Sequence, residues 1–155
     1  MLIGPSKALD VALRRAGEEV VRRGDRRVGT DHLLLGLLHD KDVADALGVD
    51  VERARAVDGD LDQAALAAIG VDLGDDLPSA RIRARVGHIP LTSAARAAIG
   101  RAGGVADAER VRRIEPRHLL AALREREEPD PAAALLAVLG LERGGSGPGR
   151  GPHRP

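Results

Sequence analysis

The 155 residues are 43% hydrophobic but include no Phe, Trp or Tyr, so a core must be built from Leu, Val, Ile and Ala, which pack well between helices. Acidic and basic residues balance at 24 each, with Lys7 and Lys41 the only lysines. This balance argues against nucleic acid or an anionic membrane as a general partner, and the absence of cysteine excludes disulfides, thiolate catalysis and cysteine metal sites.

The opening MLIGPSKALD lacks the apolar run of a signal peptide. No stretch approaches the roughly 18 apolar residues of a membrane span, so a cytoplasmic protein is expected. Residues 6–23 place Leu9, Ala12, Leu13, Ala16 and Val20 on one helical face, with Gly24 as a C-cap. A second helix follows, with Thr30 as N-cap and Asp31 in its dipole-favoured first turn. Leu33, Leu34, Leu37 and Leu38 form its apolar stripe. A short helix over 41–47 ends at Gly48, another starts after Asp50, and LDQAALAAIG reads as one more, stopped by Gly70. Residues 71–90 read mostly as a connector; ARIRARV alternates like a strand but has no partner strand in view. The next helix opens with Thr92 or Ser93 as N-cap. EPRHLLAALRER follows with Pro116 near its first turn, and PAAALLAVLG runs into Gly140.

The halves repeat. Ala8–Asp40 lies without a gap over Ala94–Arg126, pairing His32 with His118, Leu33 with Leu119, Leu34 with Leu120 and Leu37 with Leu123. After a six-residue insertion, ADALGVD (44–50) falls on LAVLGLE (136–142). The pattern implies a duplicated helical unit of about 50 residues, its copies packed around one core. The expected organisation is a first repeat at 1–57, a linker with a short helix at 58–87, a second repeat at 88–142 and a disordered Gly/Pro/Arg tail at 143–155.

The run Gly29-Thr30-Asp31-His32-Leu33-Leu34-Leu35-Gly36-Leu37-Leu38 resembles the hallmark of the Clp N-terminal repeat domain, and HIPLTSAARAAI (88–99) resembles that family's entry into its second repeat. The resemblance covers about 5–57 and 88–142. It implies an all-α, pseudo-twofold bundle that fronts ClpA- and ClpC-type AAA+ unfoldases and binds their substrates and adaptor proteins. Residues 58–78 have no family counterpart. The chain contains no Gly-Lys dipeptide, so no P-loop exists, and no nucleophile motif frames its Ser, His and Asp residues. A non-catalytic chain without cofactors is expected.

The resemblance also implies ligand positions. In the ClpC branch, the acid of each Gly-Thr-acid-His motif helps hold the guanidinium of a phosphorylated arginine, and a Thr near the start of each repeat helps hold the phosphate. The first pocket would then use Asp31 and Ser6. The second would use Thr92 but has Arg117 where the acid belongs, and a cation there repels a guanidinium. Without the resemblance, Asp31 is simply an acid at a helix N-terminus. His32 and His118 lack a converging ligand set or a carboxylate partner, so they are expected to pack at the repeat interface, bonded to backbone, with Leu34 and Leu120. His39, His88 and His153 read as surface or tail residues. The arginine-rich runs 14–27 and 81–85 read as solvated faces, the former neutralised by Glu18, Glu19 and Asp25. Two functions remain open. One is a Clp-system module that captures substrates or adaptors, including arginine-phosphorylated polypeptides. The other is a regulatory helical interaction protein that keeps the fold and has lost the peptide site.

Overall fold

The computed structural model describes residues 4–68 and 88–141. Seven helices occur among them: α1 (Lys7–Arg23), α2 (Thr30–Leu38), α3 (Lys41–Leu47), α4 (Val51–Ala68), α5 (Ser93–Ala108), α6 (Pro116–Arg124) and α7 (Pro131–Leu139). The described residues contain no strand, only two isolated backbone bridges. The ARIRARV segment, the arginine run 81–85, Gly70, His153 and the tail lie outside the described residues.

Helix α2 is the centre. Its five leucines point in every direction, and every one of its nine residues is buried. A helix apolar on all sides must be enclosed. It packs against α1, α3, α4, α5, α6 and α7. The closest approach is to α1, where a Cβ added at Gly36 would sit 2.3 Å from the Ala12 carbonyl oxygen and 2.9 Å from the Ala16 Cβ. Ala12, Ala16 and Gly36 are small because the backbones nearly touch. Ala98, Ala102 and Ala122 hold the matching positions of α5 and α6, 86 residues on, and all three are buried.

The connections show the same repetition. The Ser6 N–H donates to the Ile114 carbonyl and the Thr92 N–H to the Val28 carbonyl, both at 2.9 Å. The Ile114 N–H donates to the Gly4 carbonyl at 3.0 Å, and the Val28 N–H to the Pro90 carbonyl at 2.9 Å. Adding 86 to 6 and 28 gives 92 and 114, so each bond has a counterpart with the halves exchanged. The stretch before each half's first helix is clasped by the stretch before the other half's second helix. Ser6 and Thr92 also cap their helices alike, their hydroxyl oxygens accepting from the Leu9 and Ala95 N–H groups.

Several local expectations change. Gly29, not Thr30, precedes α2 as its N-cap. Thr30 is buried in the first turn, donates its hydroxyl to Asp130 (2.7 Å) and accepts from the Ala132 N–H (3.2 Å), tying α2 to the start of α7. A single helix, α4, runs through the break expected near residue 58. Asp58, Gly59, Asp60 and Asp62 are poor helix formers, but Asp58 is buried against Arg23, and tertiary pairing overrides local propensity. Glu19 does not lie on a solvated face, nor is His39 free at the surface. Glu19 is buried, accepts from Arg55 (2.6 Å) and faces His39 Nε2 (2.8 Å), joining α1, α4 and the end of α2. Burial alone would raise the Glu19 carboxyl, but Arg55 and His39 hold it below its usual value.

Leu34 is fully buried, whereas Leu120 is only half-buried, its place in the α6 core taken by Leu119 and Leu123. Leu34→Asp should therefore unfold the protein, since an unpaired buried charge costs several kcal/mol against a total stability of about 5–15 kcal/mol. Leu120→Asp should leave a folded protein with a lowered melting temperature by circular dichroism; equal damage from both would contradict the burial pattern. A second prediction concerns Arg110, which has φ 59° at the position matching Gly24, whose φ is 76°. Side chains are disfavoured in this left-handed region, so Arg110→Gly should stabilise by up to about 1 kcal/mol. A melting temperature unchanged or lower than the parent's would reject that assignment.

Candidate functional site

Four features meet around one guanidinium. Helix α1 ends at Arg23; the turn that follows carries Asp25; the first turn of α2 carries Asp31; and the inner face of α4 carries Asp58. Arg23 Nε donates to Asp25 (2.6 Å), Nη2 to Asp31 (2.9 Å) and Nη1 to Asp58. Every nitrogen of the fork thus meets a carboxylate, which is the strong, charge-assisted geometry. Burial would discharge Arg23, but Asp31, Asp58 and Asp25 raise its pKa above the usual value. Burial would likewise raise Asp25, but His32 and Arg23 hold its carboxyl down. Asp58 goes the other way. Burial and the neighbouring charge of Asp31 push it up to about 7, outweighing Arg23.

His32 completes the network. Its Nδ1 accepts from the Gly29 N–H (2.9 Å), so Nε2 carries the proton and donates to Asp25 (2.7 Å). The backbone bond agrees with expectation; the carboxylate partner does not, because Asp25 lies in a run read as solvent-facing. His118 repeats the arrangement, accepting from the Glu115 N–H (2.8 Å) and facing Glu109 at 2.9 Å. Each histidine bonds within its own half.

These groups line a cleft of about 710 Å³. Leu61 and Ala65 of α4 and Pro129, Pro131 and Ala134 line it too. Arg26, Arg27, Asp62, Thr92 and Glu128 also line it. Asp31 and Thr92 therefore share this cleft, one from each half. Ser6 is not among its lining residues; its backbone pairs with Ile114, on the approach to α6. The sequence pairs Ser6 with Asp31 and Thr92 with Arg117 within each repeat, but the clasped backbone crosses them over. Arg117 is bonded to Glu109 at 2.7 Å.

The matching positions carry opposite charge. Arg23 plus 86 is Glu109, and Asp31 plus 86 is Arg117, so the same pair is built with its signs reversed. The first pair is largely enclosed. The second is 41% and 58% exposed and contributes little to stability. No group of three or more His, Cys, Asp or Glu able to hold a metal occurs among the described residues. No helix among them is long and apolar enough to cross a membrane.

No family model and no curated protein sequence matches the chain. Among solved structures, it superposes on the N-terminal domain of the caseinolytic protease associated chaperone ClpD from Arabidopsis thaliana with a TM-score of 0.67. The match covers 89% of this chain and 86% of that one at 20% identity. The fold is that of a Clp N-terminal domain. Within this Clp N-domain fold, Arg23, Asp25 and Asp58 are the charged cleft residues that the sequence reading did not single out. Arg23 and Asp25 stand in a visible cluster, RRGDRR, but Asp58 lies 35 residues from Arg23, with no local signal of the contact.

The Asp58 carboxyl makes a pH prediction. Its value rises from the ordinary 3.8 to about 7 on folding. The folded chain therefore keeps a proton that the unfolded chain releases between about pH 4 and pH 7, and stability falls as pH rises through that window. Asp25 and Glu19, held low, act oppositely and only in more acidic solution. Asp58→Asn should flatten the decline in melting temperature between pH 5 and pH 8, an effect on the order of a few kcal/mol. Parallel parent and variant profiles would refute it.

Proposed function

We propose that the chain is a non-catalytic, cytoplasmic protein-binding module of the Clp protease and chaperone system, capturing substrates or adaptors or modulating an unfoldase. The observation that carries this is the Clp N-domain fold over 89% of the chain, combined with an open cleft lined by apolar surface and a cluster of charged groups. Such a cleft suits a peptide segment: apolar walls provide affinity and a few polar groups set orientation. Within it, Asp31 and Thr92 are the proposed ligand-facing residues. Ser6 and Arg117 do not line this cleft, and the cation at Arg117 speaks against a second guanidinium site. An arginine-phosphorylated polypeptide is the ligand class this assignment favours.

A second reading has specific support. Arg23 already fills the carboxylates around Asp31, and Arg117 replaces the second acid. Both observations fit a regulatory interaction protein that keeps the fold without the peptide site. The readings separate by affinity capture with the immobilised chain from the cytoplasm of its source, followed by degradation assays. Co-purification of a Clp unfoldase or its substrates, with a change in degradation rate of at least about twofold, is expected for the first. Capture of copies of the chain or a non-Clp partner alone, with degradation unchanged, would reject it in favour of the second.

A further inference from the structure

We propose that Arg23 is a built-in competitor: the chain fills its own guanidinium cage, and an external arginine side chain can reach Asp31 only when Arg23 swings out.

Three observations carry this. First, the occupant itself shows what the cage holds, a guanidinium whose Nε, Nη1 and Nη2 each meet a different carboxylate. Second, the occupied cage is not sealed. The Arg23 side chain keeps 24% of its surface exposed, and Arg23, Asp25, Asp31 and Asp58 all line the cleft. Arg23 is also the last residue of α1, so its side chain can leave without unwinding a helix. Third, the other half carries no such cage: the position matching Arg23 holds Glu109, and the counterpart of Asp25 is Val111. The arginine and its acids are peculiar to the first half.

The consequence is competition at one site. Three carboxyl groups face a single cation, so removal of Arg23 leaves a cluster of acids without its counter-charge, into whose fork another guanidinium fits. The apolar walls at Leu61, Ala65 and Pro129 would flank the incoming side chain's stem. This deepens the reading above because it concerns the same cleft. Its test needs no Clp component, so either can fail alone.

The experiment is calorimetric titration of N-acetylargininamide into the parent, Arg23→Ala and the double variant Arg23→Ala/Asp31→Asn, with N-acetyllysinamide as control. Arg23→Ala should bind the arginine compound at least about tenfold more tightly than the parent and more tightly than the lysine compound, and the double variant should lose the gain. If Arg23→Ala is unfolded in buffer, the arginine compound but not the lysine compound should restore its helical circular dichroism. A folded Arg23→Ala that binds no better than the parent would overturn the proposal, as would an unfolded one that neither compound restores. Rescue by both compounds equally would overturn it too, since a cage without preference for the fork is only a charge sink.

Discussion

Helix α2 has no side that can face water, and most of the architecture answers that constraint. Leu33, Leu34, Leu35, Leu37 and Leu38 leave no polar stripe, so six other helices gather around nine residues. Burying five leucines is worth about 1.5–3 kcal/mol each in transfer free energy, a large share of what any domain this size can call on. Without aromatic residues, closeness must come from small side chains. Gly36 against Ala12 and Ala16 brings two backbones into contact, which lengthens the list of atoms touched by every neighbouring leucine.

The polar residues on α2 are there because its ends cannot be left bare. Thr30, Asp31 and His32 are buried beside the leucines, and each has its hydrogen bonds met by another element: Asp130 from the approach to α7, Arg23 from α1, and Asp25 with the Gly29 backbone. No buried side-chain nitrogen or oxygen among the described residues lacks a partner. The motif that marks the helix start in the sequence is thus also the point where three other segments converge. This is why the cleft forms there, and why a carboxylate in it is already engaged.

Local features were legible in the sequence and distant pairings were not. Helix starts and stops at Gly24, Gly48, Thr92 and Gly140, the central leucine helix and the 86-residue repetition all follow from short-range patterns. The crossing of Ser6 and Thr92 to opposite halves could not be read, because nothing in either segment encodes a backbone bond to residues 114 or 28. Asp58 fell at the start of the expected linker for the same reason: the charge it pairs with lies on another helix. Glu19 illustrates the converse. In EEVVRR it has the look of a surface acid, and only the arrival of Arg55 and His39 makes its burial tolerable.

The clasp between the halves bears on how the chain comes to be folded. Pro5 pairs with Ile114 and Val28 with Leu91, so the outer pairing spans more than a hundred residues and encloses the inner one. During synthesis the first half emerges with its entry segment and its α1–α2 turn both waiting for strands of backbone not yet made. Long-range pairings of this kind slow folding, since the loop must close before the contact rewards it. The nascent first half, with its leucine helix unshielded on the side meant for the second, is the form most exposed to premature association. For this architecture the vulnerable moment is therefore set by translation of residues 91–114, and a stall there would leave the whole first half made and its clasp incomplete.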